Sequence, residues 1–265
     1  MQIRDILKNN VKDKLARDEV VASMTVRLTR NIEIARIAKT AGFDTIYVDL
    51  EHSGMSIETC GQICIAAMEI GIAPFVRVPA NTPDYIARVL ENGALGIIAP
   101  HVRSATEAKA VVQAAKFAPL GERSNATGLP HLHYRSFPAP EAYAALNDAT
   151  MVIVQFESAE ALDRADEILS VEGIDLALVG LNDMLADWGL PGQYDHPRVR
   201  ETYAKVIAAC RKHGKHCGVG GLSSRPDLMA DYVRMGARYV STGTDIGFLI
   251  AACTQKAKQV HEIKL

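Results

Sequence analysis

Eight short β-rich runs recur along the chain, each separated from the next by a segment of helical periodicity. The runs are VVASMTV (20–26), FDTIYVDL (43–50), APFVRVP (73–79), LGIIAP (95–100), TMVIVQFES (150–158), IDLALVG (174–180), KHCGVGG (215–221) and RYVSTGT (238–244). Between them, segments such as NIEIARIAKTAG and PDYIARVLENGA place apolar residues at i, i+3, i+4 and i+7, and most close on Gly, a helix C-terminal signal. Runs this apolar are buried on both faces, as in a parallel sheet. Eight units in 265 residues favour a closed (β/α)8 TIM barrel over a doubly wound sheet. The expectation is one domain over residues 1–265, with an N-terminal helical extension and a long Pro/Gly-rich active-site loop at 118–149.

Composition removes several classes of function. The net charge is −2 and no basic stripe runs along the chain, which argues against nucleic acid. No stretch reaches the roughly 20 apolar residues of a membrane span. The first residues, MQIRDILKNNVKDKLARDE, are amphipathic without an apolar signal core, so the expected compartment is the cytoplasm. Cys60 and Cys64 stand four apart on a helical pattern with no second Cys/His pair nearby, and read as reduced core thiols rather than zinc ligands.

In a barrel, chemistry collects at the C-terminal ends of strands. The stretch TIYVDLEHSGMS (45–56) ends in Asp49, Glu51 and His52. Arg77 interrupts FVRVP; Gln155 and Glu157 share one face of VQFES; Asn182 and Asp183 follow Gly180. Bland readings exist for each: a solvated strand end, an ion pair of Arg77 with Glu157, and a local acid such as Glu51 for Arg27 at the end of the first strand. Five strand ends with polar groups at one rim point further. Glu157 and Asp183, on adjacent strands, suit a hard divalent cation such as Mg²⁺, Mn²⁺ or Co²⁺. The segment GLNDML enters a helix whose first N–H groups attract an anion.

The pieces AGFDTIYVDLEH, FVRVP, LENGALGIIAPHV, FAPLGERS, VQFES, EGIDLALVGLNDMLADWGLPG and MGARYVSTGTD, in this order, resemble the HpcH/HpaI aldolase family of class II, metal-dependent pyruvate aldolases. The resemblance runs from about residue 20 to 250. It implies His52 as general base, Arg77 as the cation that stabilises an enolate, and Glu91 as an acid that raises the basicity of the histidine. It implies Gln155, the Asn182 backbone and Asp183 as substrate-binding groups, and Glu157 with Asp183 as metal ligands. It further implies a homo-oligomer, hexamer or trimer, whose C-terminal helix (245–260) is exchanged between subunits.

The chain departs from the family pattern at Glu91, commonly Asp; at Ser124 in GERS; around Asp183 in GLNDML; and at Arg27, where an apolar or aromatic residue is usual. Arg27 is the candidate for an anionic group on the substrate. The reaction implied is cleavage of a 4-hydroxy-2-oxo acid to pyruvate and an aldehyde. No lysine lies within the strand cores, which favours the metal route over a Schiff base. A citrate-lyase-like acyl-CoA lyase, an oxaloacetate decarboxylase and a non-enzymatic small-acid binding barrel are the alternatives. His131 and His133 in the long segment read as solvated or substrate-facing, and His101 as a rim residue.

Overall fold

The computed structural model describes residues 2–126 and 128–264. Eight parallel strands close in sequence order, β1 through β8 and back to β1. They are β1 (Val21–Val26), β2 (Thr45–Asp49), β3 (Ala73–Arg77), β4 (Gly96–Ala99), β5 (Met151–Phe156), β6 (Leu176–Gly180), β7 (His216–Gly220) and β8 (Tyr239–Thr244). Each lies within two residues of a run that the sequence marks, as expected of a (β/α)8 barrel. Two short helices, α1 (Ile3–Ile6) and α2 (Asn10–Ala16), precede it. Helices α3 (Glu33–Thr40), α4 (Ile57–Glu69), α5 (Pro83–Glu91) and α6 (Ala105–Ala115) follow β1 to β4, and α7 (Ala139–Ala149) precedes β5. Helices α8 (Ala159–Asp163) and α9 (Ala165–Leu169) follow β5, α10 (Leu181–Asp187) and α11 (Pro197–Lys212) follow β6, α12 (Pro226–Met235) follows β7, and α13 (Asp245–His261) closes the chain.

Strand alternation divides the core in two. Ile46, Val48, Val76, Val152, Val154, Ala177 and Val179 face the helices. Tyr47, Phe75, Ile98, Ile153, Leu176, Leu178 and Tyr239 fill the barrel interior. A side-chain period of two carries the interior rows onward to Asp49, Arg77, Gln155 and Glu157 at the C-terminal ends.

The segment 118–149 does not lie at the active-site rim of its own barrel. It joins the end of α6 to the start of β5, so it lies at the N-terminal face, opposite the strand ends that carry the polar groups. It also holds a regular helix, α7, and a short 3-10 turn at Pro130–Leu132. Leu129, Leu132, Ala142 and Leu146 pack there with Ile3 and Phe117 as a small separate core. Asn9, the N-cap of α2, donates to the Ala149 carbonyl at 2.8 Å and ties the N-terminal helices to this plug. His131 is buried in it and bonds the Ala94 carbonyl through Nε2 at 2.9 Å, so it faces neither solvent nor substrate.

All five cysteines are free, and Cys60 and Cys64 sit in the core, as their helical spacing suggests. Helix α13 leaves the barrel and exposes Phe248, Leu249, Ile250 and Val260. Its first residue, Asp245, accepts the backbone N–H groups of Arg27, Leu28 and Thr29 and so fixes the chain leaving β1. Among the described residues no helix is long and apolar enough to cross a membrane.

Candidate active site

Asp49 and Arg77 are register partners on β2 and β3, both pointing into the barrel mouth. Asp49 is fully buried, and Arg77 Nε and Nη2 reach its two oxygens at 2.9 and 2.6 Å. Arg27 Nε approaches Asp49 Oδ2 from β1 at 2.5 Å. Burial pushes the Asp49 carboxyl up, but the hydrogen bonds and charges of Arg77 and Arg27 outweigh it and hold the group below its ordinary range. Asp49 Oδ1 also accepts the backbone N–H groups of Glu51 and His52, which shapes the turn that presents the histidine.

Glu51 joins three cationic or titratable groups. Its carboxylate lies 3.0 Å from Arg77 Nη1, 3.1 Å from His101 Nε2 and 3.6 Å from His52 Nε2. The ion pairs of Arg77 are therefore Asp49 and Glu51, not Glu157. The His52 side chain remains half exposed toward the cavity.

Glu157 is 5% exposed, and Gln155 donates its amide to Glu157 Oε1. Burial raises the Glu157 carboxyl to about 7; the His101 backbone N–H and ring oppose this, and the nearby charges of Asp183 and Glu51 add to it. Gly180 leaves room for the pair: a Cβ there would stand 2.7 Å from Glu157 Oε1 and 2.8 Å from Gln155 Nε2. Among the described residues Gln155 Oε1 is buried without a partner. Two repelling carboxylates, an orphaned amide oxygen and a glycine-lined space make a donor set that fits a hard divalent cation. Among the described residues no three His, Cys, Asp or Glu side chains already converge as a closed metal cluster.

A cavity of about 400 Å³ opens at this rim, lined by Arg27, His52, Arg77, Gln155, Asn182 and Asp183. Its far wall, from β1, β7 and β8, carries the hydroxyls of Thr25, Ser223, Ser241 and Thr244. Gly221, at φ +78°, allows close approach there, since a Cβ would meet the Asn182 backbone N at 3.2 Å. Asn182 Oδ1 accepts from Tyr194 at 2.9 Å, and the residue itself, in the first turn of α10, lines the cavity.

Glu91 is the one candidate that does not join the site. It ends α5, which runs antiparallel to the strands, and the chain beyond it pairs with the start of β3 through Leu95 N to Pro74 O at 2.8 Å. Its charge acts on Arg123 at that opposite face, not on His52 of the same chain. Sequence reasoning underweighted His101 and the hub role of Glu51. Both follow a strand end by one or two residues, which is the signal that marked the others.

The family model described as HpcH/HpaI aldolase/citrate lyase matches residues 24–252. The chain is 35% identical over 261 residues to the 4-hydroxy-4-methyl-2-oxoglutarate aldolase tasA of Hapsidospora irregularis, covering 97% of each. It is 32% identical over 256 residues to a 5-keto-4-deoxy-D-glucarate aldolase of Citrobacter koseri, again covering 97% of each. The crystal structure of an HpcH/HpaI aldolase from Desulfitobacterium hafniense superimposes with a TM-score of 0.90 at 29% identity, over 96% of this chain and 97% of that one.

Proposed function

Because the chain belongs to the HpcH/HpaI aldolase/citrate lyase family, we propose that it cleaves a 4-hydroxy-2-oxo acid to pyruvate and a second carbonyl compound, and runs the addition in reverse. The observation that carries this reading is the interior row order: the inward positions of β2, β3 and β5 deliver Asp49, Arg77, Gln155 and Glu157 to one rim. Glu157 and Asp183 would hold a divalent cation, Mg²⁺, Mn²⁺ or Co²⁺, which supplies Lewis-acid polarisation of the oxo acid.

His52 stands at the cavity edge with an open side chain and takes the C4 hydroxyl proton. The C3–C4 bond then breaks: the carbonyl product leaves and the bonding electrons remain as pyruvate enolate. Arg77, fixed on two sides by Asp49 and Glu51, presents its charge where that enolate forms. Its burial lowers the guanidinium pKa, but Asp49 and Glu51 more than offset this, so it stays charged. Gln155 and the Asn182 backbone hold the oxo-acid end. Protonation at C3 completes pyruvate.

Arg27 gives the other half of the substrate. Among the described residues only its Nε is hydrogen-bonded through the side chain, and the guanidinium lines the cavity. The remaining N–H groups form a fork suited to a carboxylate. The name of the Hapsidospora relative denotes a substrate with a carboxylate at each end, which agrees with an anionic carbonyl product here.

The exposed apolar residues of α13 support a homo-oligomer, hexamer or trimer, in which this helix is exchanged. Five free thiols support a cytoplasmic location. The function is tested by measuring pyruvate release from 4-hydroxy-2-oxo acids beside acyl-CoA esters and oxaloacetate. Turnover confined to the CoA esters or to decarboxylation would favour the citrate-lyase-like or decarboxylase chemistry.

A further inference from the structure

Tyr47 precedes Asp49 by two residues on β2, in register with Thr25 on β1 and Phe75 on β3. Its side chain therefore points into the barrel on the same face as Asp49, one layer deeper. The ring packs in the barrel interior, and the residue lines the cavity that Arg77 and His52 also line. Tyr239, the other tyrosine of that interior cluster, is closed off: its hydroxyl pairs with Ser23 Oγ at 2.7 Å and it does not line the cavity. Among the described residues the Tyr47 hydroxyl has no such partner, and it is not sealed within protein either. It stands close enough to Arg77 to favour the charged guanidinium. A hydroxyl in the interior of a protein is normally paired, so one left open to a cavity is free to donate to what the cavity holds.

We propose that Tyr47 is the catalytic acid that protonates C3 of the pyruvate enolate. The inference rests on the aldolase reading above and supplies the proton donor for its last step. Arg77 holds the enolate charge directly above the layer that carries Tyr47, which brings the enolate within reach of the phenol from the cavity floor. The other hydroxyls on the cavity wall, those of Thr25, Ser223, Ser241 and Thr244, are aliphatic and far weaker acids. A phenol ionises near pH 10 and can give up its proton to a carbanion. In the step, the phenol O–H bond breaks, the enolate electron pair forms the C3–H bond, and the keto group of pyruvate is restored. The phenolate is left beside the Arg77 charge and recovers a proton from cavity water. In the reverse direction the phenolate withdraws a C3 proton from pyruvate and starts the addition. His52, at the cavity edge, keeps its separate task at the C4 hydroxyl.

Tyr47→Phe tests this, because it removes a hydroxyl that no protein group uses and leaves the ring in place. Two steps are measured separately on the full chain with Mn²⁺. The first is exchange of the methyl protons of pyruvate with D₂O, followed by proton NMR against a protein-free control. The second is single-turnover release of the carbonyl product from 4-hydroxy-2-oxopentanoate. Wild type is expected to do both. Tyr47→Phe is expected to lose exchange by about 10²–10⁴-fold, the usual worth of a positioned acid or base. Its single-turnover release and its Mn²⁺ affinity are expected to stay at the wild-type level, so that the carbonyl product appears in a burst ahead of pyruvate. Exchange at the wild-type rate in Tyr47→Phe would assign the proton to His52 or to water and overturn the proposal alone. Equal losses of exchange and release, or a loss of Mn²⁺ binding, would make the hydroxyl a structural or binding group and overturn it as well. Neither exchange nor release in the wild type would overturn the aldolase reading itself.

Discussion

Asp49 and Arg77 face each other across one rung of the barrel and meet through two hydrogen bonds, with the carboxylate wholly out of water. Arg27 adds a second guanidinium to the same carboxylate. Removing the negative charge leaves two cations against each other, one of them buried. Asp49→Asn keeps the volume and is expected to lower the unfolding free energy by about 3–5 kcal/mol. Denaturant titration of the two proteins measures this. A loss below about 1 kcal/mol would mean that water or a rearranged Glu51 compensates, and that the pair does not hold the rim.

His52→Ala is expected to slow carbon–carbon cleavage by about 10²–10⁴-fold, the usual worth of a positioned base. Divalent-metal affinity should change little, because Glu51 and not a metal-binding carboxylate is the acid closest to the ring. Single-turnover pyruvate release beside metal titration separates the two effects. Wild-type cleavage in this variant would move the base elsewhere.

Arg27→Met is expected to penalise substrates whose carbonyl half is anionic, by roughly ten- to a hundredfold in kcat/KM. That range corresponds to a charge-assisted hydrogen bond of about 1.5–3 kcal/mol. Small neutral aldehydes should be nearly unaffected in the addition direction. Equal losses on both classes would show that Arg27 only braces Asp49.

His131 couples the plug to pH. Burial, reinforced by the charge of Arg123, lowers its pKa to about 4, while the bond to Ala94 opposes the shift. Below its ordinary value of about 6.5 the unfolded chain takes up a proton that the folded chain refuses, so stability rises with pH across the interval. The contribution is complete above about pH 6.5 and falls away as pH drops toward 4, by about 3 kcal/mol in all. His131→Gln can still donate to the Ala94 carbonyl and is expected to remove that part of the slope. Parallel pH profiles in variant and wild type would assign the slope to other groups.

The eight units were legible because a buried parallel strand and an amphipathic helix have distinct periods, and the barrel repeats both eight times. The rim was legible for the same reason: a polar residue two positions beyond a buried interior residue must face the mouth, as Asp49 follows Tyr47 and Arg77 follows Phe75. Segment 118–149 was misplaced because Pro and Gly mark an irregular backbone without marking its end of the barrel. Its position after a helix and before a strand assigns it to the far face, and the same topology removes Glu91 from His52. The choice of Asp49 over Glu157 as partner of Arg77 depended on strand register, which a single sequence does not encode locally.

The most direct measurement is pyruvate release from 4-hydroxy-2-oxo acids before and after removal of divalent metal. The full chain, dialysed against EDTA, is expected to lose cleavage and to regain it with Mg²⁺, Mn²⁺ or Co²⁺. Full cleavage in chelator, together with inactivation by borohydride in the presence of pyruvate, would show a Schiff base and contradict the roles given to Glu157 and Asp183.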